Sequence, residues 1–171
     1  GTSLGGKVAF TAAAAKSPAA HSLVMLSSSA LPTPRGRRIH RWFEVLASEV
    51  DARLLGELTA PFLFGETFLN ERSSVVDDIV RSQKPTAEAR ALMRAQARAL
   101  QSFDGTHQCA SVAWPTLCVA GAEDCLTLPS EVAATAKHIP GARYLRIEGA
   151  GHSLLLESAT AFDRIVEFLR S

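Results

Sequence analysis

Two short runs, Leu23-Val24-Met25-Leu26 and Thr116-Leu117-Cys118-Val119-Ala120, carry no alternation of polar and apolar residues. A strand with one wet face alternates, whereas a strand apolar on both faces has to be covered on both. A mostly parallel sheet with helices on its two sides meets that demand. A third strand is predicted over Arg143-Tyr144-Leu145-Arg146-Ile147, after the turn Pro140-Gly141. Helical segments separate the three. Leu4 to Lys16 is small and apolar all round, which predicts a buried helix. Pro129 suits a first helical position, and Val132, Ala133, Ala136 and Ile139 form one apolar stripe behind it. In the last helix Phe162, Ile165, Val166 and Leu169 are expected to share the buried face. The order helix, strand, long insert, strand, helix, strand, helix predicts an α/β fold with a doubly wound, mostly parallel sheet.

The insert divides the chain into three stretches: core over residues 1–30, a helical insert over 31–110, and core again over 111–171. Eighty residues far exceed an ordinary strand-to-helix connection. Helices are expected over Arg38 to Val50, Ser74 to Ser82 and Ala87 to Phe103. Thr86 is the candidate N-cap of the last of these, Ala89, Met93, Ala97 and Leu100 its apolar seam, and Arg90, Arg94 and Arg98 a basic stripe.

Charge narrows the function classes. The 171 residues hold 18 Lys plus Arg against 17 Asp plus Glu, a formal net charge of +1, with 47% hydrophobic residues. That excludes a disordered chain and argues against nucleic acid as a partner, since counterion release needs a dense basic face. No apolar run approaches the roughly 20 residues that cross a bilayer, so no membrane partner is expected. Cys109, Cys118 and Cys125 are too few and too irregular for a disulfide framework or a zinc site. They fit buried or half-buried thiols in a reducing, cytoplasmic setting, and no metal or organic cofactor is expected.

The chain opens Gly1-Thr2-Ser3-Leu4-Gly5-Gly6, a G-x-S-x-G pattern at a helix start. A serine on a sharp strand-to-helix turn needs strained backbone angles and small neighbours two positions to either side. Its hydroxyl then stands at a helix N-terminus, where free N–H groups favour a developing oxyanion, with Leu4 N–H as one donor. Such a serine needs a base, and the base an orienting acid. The second strand runs into Ala120-Gly121-Ala122-Glu123-Asp124, and the third into Glu148-Gly149-Ala150-Gly151-His152. Both put a candidate partner just past the carboxyl end of a parallel strand, where sites in open α/β sheets assemble. Asp124 is the expected acid and Glu123 its neighbouring rival. His21, His40, His107 and His138 read as ordinary structural or solvated histidines.

Those stretches, with Pro115 to Asp124, Ile139 to Ala142 and Gly149 to Ser153, resemble the α/β-hydrolase superfamily, most of all its compact esterase, enol-lactonase and haloperoxidase-like branch. The resemblance covers the whole chain, although the insert matches only in position and helical character. It implies Ser3 as nucleophile, His152 as general base, Asp124 as orienting acid and the insert as a cap. Members that open epoxides or carbon–halogen bonds carry Asp at the nucleophile position, so Ser3 argues against those activities. The expected substrate is a small to medium apolar ester, lactone or thioester. An acyltransferase or cofactor-free perhydrolase with the same triad is the enzymatic rival. A slow-turnover, ligand-binding signalling protein is the other.

The family sheet has eight strands, five of them before the nucleophile, and this chain starts at the first glycine of the turn. An N-terminal polypeptide of the same fold is therefore expected to complete the sheet as a heterodimer partner, produced by proteolytic cleavage before Gly1 or supplied separately. Trp42, Phe43, Phe62, Phe64, Phe68 and Met93 in the insert are candidates to line an apolar substrate pocket. Arg35, Arg37, Arg38 and Arg41 read most simply as a solvated basic surface, and otherwise as an attractor for a carboxylate or an acidic carrier protein.

Overall fold

The computed structural model describes residues 1–17, 21–83 and 86–171. Its sheet has three strands, β1 (Leu23–Leu26), β2 (Thr116–Gly121) and β3 (Arg143–Ile147), parallel and in the spatial order β1-β2-β3. Leu23 lies opposite Thr116, and Leu117 opposite Arg143. β2 is buried along its whole length, which is why it reads as unbroken apolar sequence. Its residues serve two cores. Cys118 and Ala120 pack with Leu23 and Met25 on one face, whereas Leu117 and Val119 pack with Leu26 and Ile147 on the other.

Helix α1 (Leu4–Ala14) lies against the first face through Phe10 and Ala13. The expectation that it is buried all round is corrected: Val8 is 63% exposed. Among the described residues, α1 is packed chiefly by β1 and by the connection before β2, so only one side is covered.

The insert is a helical layer. It comprises α2 (Pro34–Glu49), α3 (Ala52–Leu63), α4 (Glu66–Glu71), α5 (Ser73–Ser82) and α6 (Ala87–Ser102), then a 3₁₀ turn over Thr106–Ser111. Local chemistry starts three of these helices. Thr33 caps α2 by accepting from Gly36 N–H, Asp51 caps α3 through Leu54 N–H, and Thr86 caps α6 through Ala89 N–H. α2 packs on α6, and α3 on α5. A small core of Ala60, Phe64, Val76 and Val80 holds α3 to α5. Arg90 leaves its expected basic stripe and donates to the carbonyls of Ala47 and Val50 at the end of α2.

After β2, helix α7 (Pro129–His138) crosses back to the α1 face with Val132, Ala136 and Ile139 buried. The short α8 (Leu154–Glu157) and α9 (Ala159–Arg170) cover the other face. The expected stripe of α9 is corrected. Ala161, Ile165 and Phe168 face the sheet, while Phe162 is 58% and Leu169 56% exposed. Two apolar stripes lie side by side on this helix, and the core takes the one with the smaller residue at its start. No helix among the described residues is long and apolar enough to cross a membrane.

Candidate active site

Gly1 and Thr2 run beside the end of β1, with Thr2 bridging Leu26 in parallel. The chain then turns sharply into α1 at Ser3. Ser3 has φ 52° and ψ −118°, a left-handed conformation that costs a non-glycine residue about 1–3 kcal/mol and persists only when its surroundings over-determine it. They do so here. Ser3 N–H donates to Leu26 O at 2.9 Å, and Ser3 O accepts from Gly6 N–H at 3.0 Å and from the Ser28 hydroxyl at 2.8 Å. The turn also explains its glycines, with one correction. A Cβ on Gly1 would sit 2.2 Å from Gly5 O, and one on Gly6 would sit 2.5 Å from Ser28 Cβ, but one on Gly5 would meet nothing within 4 Å. The second close approach therefore falls at Gly6. The Ser3 side chain makes no cap bond to its own helix. Leu4 opens α1, and N–H groups in a first turn have no intrahelical acceptor.

Asp124 and His152 come together past the ends of β2 and β3. His152 Nδ1 is 2.9 Å from Asp124 Oδ2, with Asp124 2% and His152 5% exposed. The other carboxylate oxygen accepts from Leu126 N–H at 2.9 Å and Thr127 N–H at 2.8 Å. An anionic carboxylate satisfied on both oxygens fixes the ring and favours a proton on Nδ1, which leaves Nε2 as the basic nitrogen. The rival Glu123 points elsewhere: it accepts from Thr67 N–H and from the Thr67 hydroxyl, pinning the start of α4.

A cavity of about 320 Å³ joins these groups, with Ser3, Leu4 and His152 in one wall. The opposite wall is apolar and comes mainly from the insert, through Phe43, Leu63, Met93 and Leu100. Of the six expected pocket residues, Phe43 and Met93 line it. The other four are corrected to packing positions. Trp42 lies 5.0 Å from the Phe43 ring and 4.7 Å from the Phe62 ring, and Phe64 stacks on Phe68 at 5.6 Å.

Two further residues border Ser3: Lys7, assigned no role from the sequence, and His40, read there as an ordinary structural or solvated histidine. His40 lies in the cavity wall, and burial, reinforced by the Lys7 and His152 charges, lowers its pKa to about 4. Lys7 follows Ser3 by one helical turn, and its ammonium donates to Ser29 O. The spacing of four from Ser3 to Lys7 was the available signal for one, and the row Gly36, His40, Phe43, Ala47 along α2 for the other. Of the basic cluster, Arg35 is committed to the carbonyls of Cys125 and Leu126, while Arg37, Arg38 and Arg41 are exposed. Cys109 and Cys118 are buried and Cys125 is half-buried, all three as free thiols; burial pushes Cys118 up to about 12.

Residues 1–159 match the family model described as the alpha/beta hydrolase fold. Among solved structures, the chain is similar to an enol-lactonase from Burkholderia xenovorans LB400, at 21% identity and a TM-score of 0.86, covering all of this chain and 64% of that one. It is also similar to a thermophilic esterase from Thermogutta terrifontis, at 26% identity and a TM-score of 0.82, covering 99% of this chain and 63% of that one. Over 68 residues, 40% of this chain, it is 43% identical to the polyketide synthase ThaQ of Burkholderia thailandensis, of which this is 3%. The chain thus spans somewhat under two thirds of these solved structures.

Proposed function

Because the chain belongs to the α/β-hydrolase family, we propose that it is a serine hydrolase cleaving a small to medium apolar ester, lactone or thioester, with Ser3, His152 and Asp124 as its triad. Ser3 Oγ attacks the carbonyl carbon and passes its proton to His152 Nε2. Asp124 steadies the imidazolium that forms, and Leu4 N–H receives the developing oxyanion. Collapse of the tetrahedral adduct returns the proton to the leaving alkoxide or thiolate. Water then enters by the same route in reverse and releases the acid. The observation that carries the reading is the buried 2.9 Å pair between His152 and Asp124, whose imidazole shares a cavity with a strained, uncapped Ser3. The insert acts as the cap, since it supplies the apolar wall over the hydroxyl. A polypeptide of the same fold completes the sheet, in keeping with the share of the similar structures that this chain spans.

Transfer of the acyl group to an alcohol or amine instead of water is the second reading. The match to a polyketide synthase, by its name an assembly enzyme, favours it.

Turnover of p-nitrophenyl esters of graded chain length tests both. Ser3→Ala is expected to lower kcat by about 10⁴ or more and Asp124→Asn by about 10³–10⁴. A fluorophosphonate probe is expected to add its mass at Ser3 and at no site in Ser3→Ala. Equal turnover by wild type and Ser3→Ala would reject the nucleophile. Product that partitions to an added alcohol in preference to water would select transfer over hydrolysis.

A further inference from the structure

Ser3 also borders a second, smaller cavity, of about 40 Å³. Ser3, His40, Leu100 and Leu126 line both hollows, so the two meet at the nucleophile. Their chemistry differs. The larger is apolar on its insert side, whereas the smaller is walled by Lys7, Ser27, Thr33, Arg37 and Glu131.

The wall of this small cavity holds two cations, Lys7 and Arg37, and one carboxylate, Glu131, with Asp104 outside the wall near enough to Arg37 to feel its charge. The Lys7 ammonium is held by Ser29 O and lies 4.9 Å over the Phe103 ring. Burial lowers its pKa to about 8, with the Glu131 carboxylate opposing, which leaves it mostly cationic at neutral pH. Glu131 is occupied on both oxygens, by the Thr33 hydroxyl at 2.6 Å and Leu128 N–H at 2.9 Å. His40, with its pKa near 4, brings no charge at neutral pH. Arg37 adds a second cation.

One polar group is left over. Ser27 is 0% exposed, and its hydroxyl is the one buried side-chain oxygen or nitrogen among the described residues with no hydrogen-bond partner. Its φ of 47° holds this non-glycine residue in the left-handed region at the end of β1. An orphaned donor in a strained, buried position, lining the same cavity as Lys7 and Arg37, marks a place that suits a ligand atom.

We propose that the small cavity is a subsite for a carboxylate carried by the substrate close to its scissile carbonyl, bound by Lys7, Arg37 and the Ser27 hydroxyl. The substrate class narrows to half-esters, acidic lactones or carboxyl-bearing thioesters. Their apolar remainder occupies the larger cavity, and the carbonyl lies between the two at Ser3. The volume admits a carboxylate or a few waters and no longer chain. This assignment rests on the serine-hydrolase reading of Ser3 and deepens it.

The test uses two p-nitrophenyl esters of matched length, the half-ester of glutaric acid and its methyl-capped analogue. Wild type is expected to favour the free acid by about tenfold or more in kcat/KM, as for a charge-assisted contact. Lys7→Met is expected to abolish that preference through KM, bringing the ratio of kcat/KM for the two esters close to one. Lys7→Arg is expected to retain part of it, and Ser27→Ala, a smaller change if Lys7→Met does not fold, to lose part. No preference in wild type, or an equal fall for both esters, would overturn the subsite. Calorimetric titration of monomethyl glutarate into Ser3→Ala protein separates this from the hydrolase reading, because it needs no turnover. Saturable binding, lost on adding Lys7→Met, is expected. Absent binding in protein that still hydrolyses neutral esters would overturn the subsite alone.

Discussion

His40 is an imidazole kept neutral chiefly by burial, with the Lys7 ammonium nearby, and its protonation is therefore coupled to folding. Burial is the largest cause of its lowered pKa, followed by Lys7 and His152. The unfolded chain takes up a proton near pH 6.5, and the folded chain only near pH 4. Between these values the unfolded state binds more protons, so stability falls as pH drops through that window and is level above it. The loss is about 1–2 kcal/mol once the partial exposure of the ring to screening is allowed for. Urea melts of wild type and His40→Gln at pH 7, 5.5 and 4 check this. The variant is expected to lose less stability than wild type on acidification, and parallel losses would show that another group carries the effect. Ser3, Asp124 and His152 were legible because each sits where local backbone chemistry announces it, on a turn or just past a strand. His40 and Lys7 were not. His40 reaches the Ser3 cavity from α2, a placement that spacing within one segment does not state, whereas Lys7 had only its spacing of four from Ser3 to mark it.

At the level of elements, the insert is tied to the sheet by two carboxylates. Glu157, in α8, accepts from Gly65 N–H at 2.9 Å, Gly151 N–H at 2.7 Å and Ser153 N–H at 2.9 Å. It thereby joins the α3–α4 corner to both flanks of His152. Glu123 holds Thr67 in the same corner from the Asp124 side. Glu157→Ala strands these donors at a cost of about 1–3 kcal/mol each where water cannot replace the carboxylate. Since water reaches this partly buried site, a total of about 2–4 kcal/mol is expected, or roughly 5–15 °C in Tm for a chain of this size. kcat is expected to fall more than KM rises, because the histidine loop loses its anchor while the apolar wall remains. An unchanged Tm in Glu157→Ala would remove the clamp. This corner also explains what the sequence hid. Gly56 and Pro61 are poor helix residues, yet both lie within α3, which runs on to Leu63. Packing of Ala60 and Phe64 against Val76 and Val80 outweighs those local penalties. The helices with clear caps and seams, α6 above all, were legible from Thr86 and Met93 alone.

The whole molecule presents a sheet whose central strand is fully buried but whose margins are not. β1 has the Gly1–Ser3 stretch along its outer side, with the Gly1 amino group donating to Val24 O at 2.8 Å and Gly1 O accepting from Leu26 N–H at 3.0 Å. That stretch pairs only with the carboxyl-terminal end of β1. Parallel sheets are stable when helices cover both faces and several strands share the cost of long crossovers. Here α1 leaves Val8 exposed, and among the described residues the paired strands number three. If a further polypeptide of the same fold completes this sheet, as proposed, its strands lie outside β1 and its helices against the open side of α1. The 171 residues expressed by themselves are then expected to unfold over a broad urea range, with an m-value below that usual for their length, and to bind a hydrophobic dye before the transition. Co-expression with the completing segment is expected to give one steep transition with a larger m-value, because more surface is buried per molecule. It is also expected to raise turnover of p-nitrophenyl esters. A steep transition, a monomeric sedimentation profile and undiminished turnover from the 171 residues alone would show that three strands and this helical layer are sufficient.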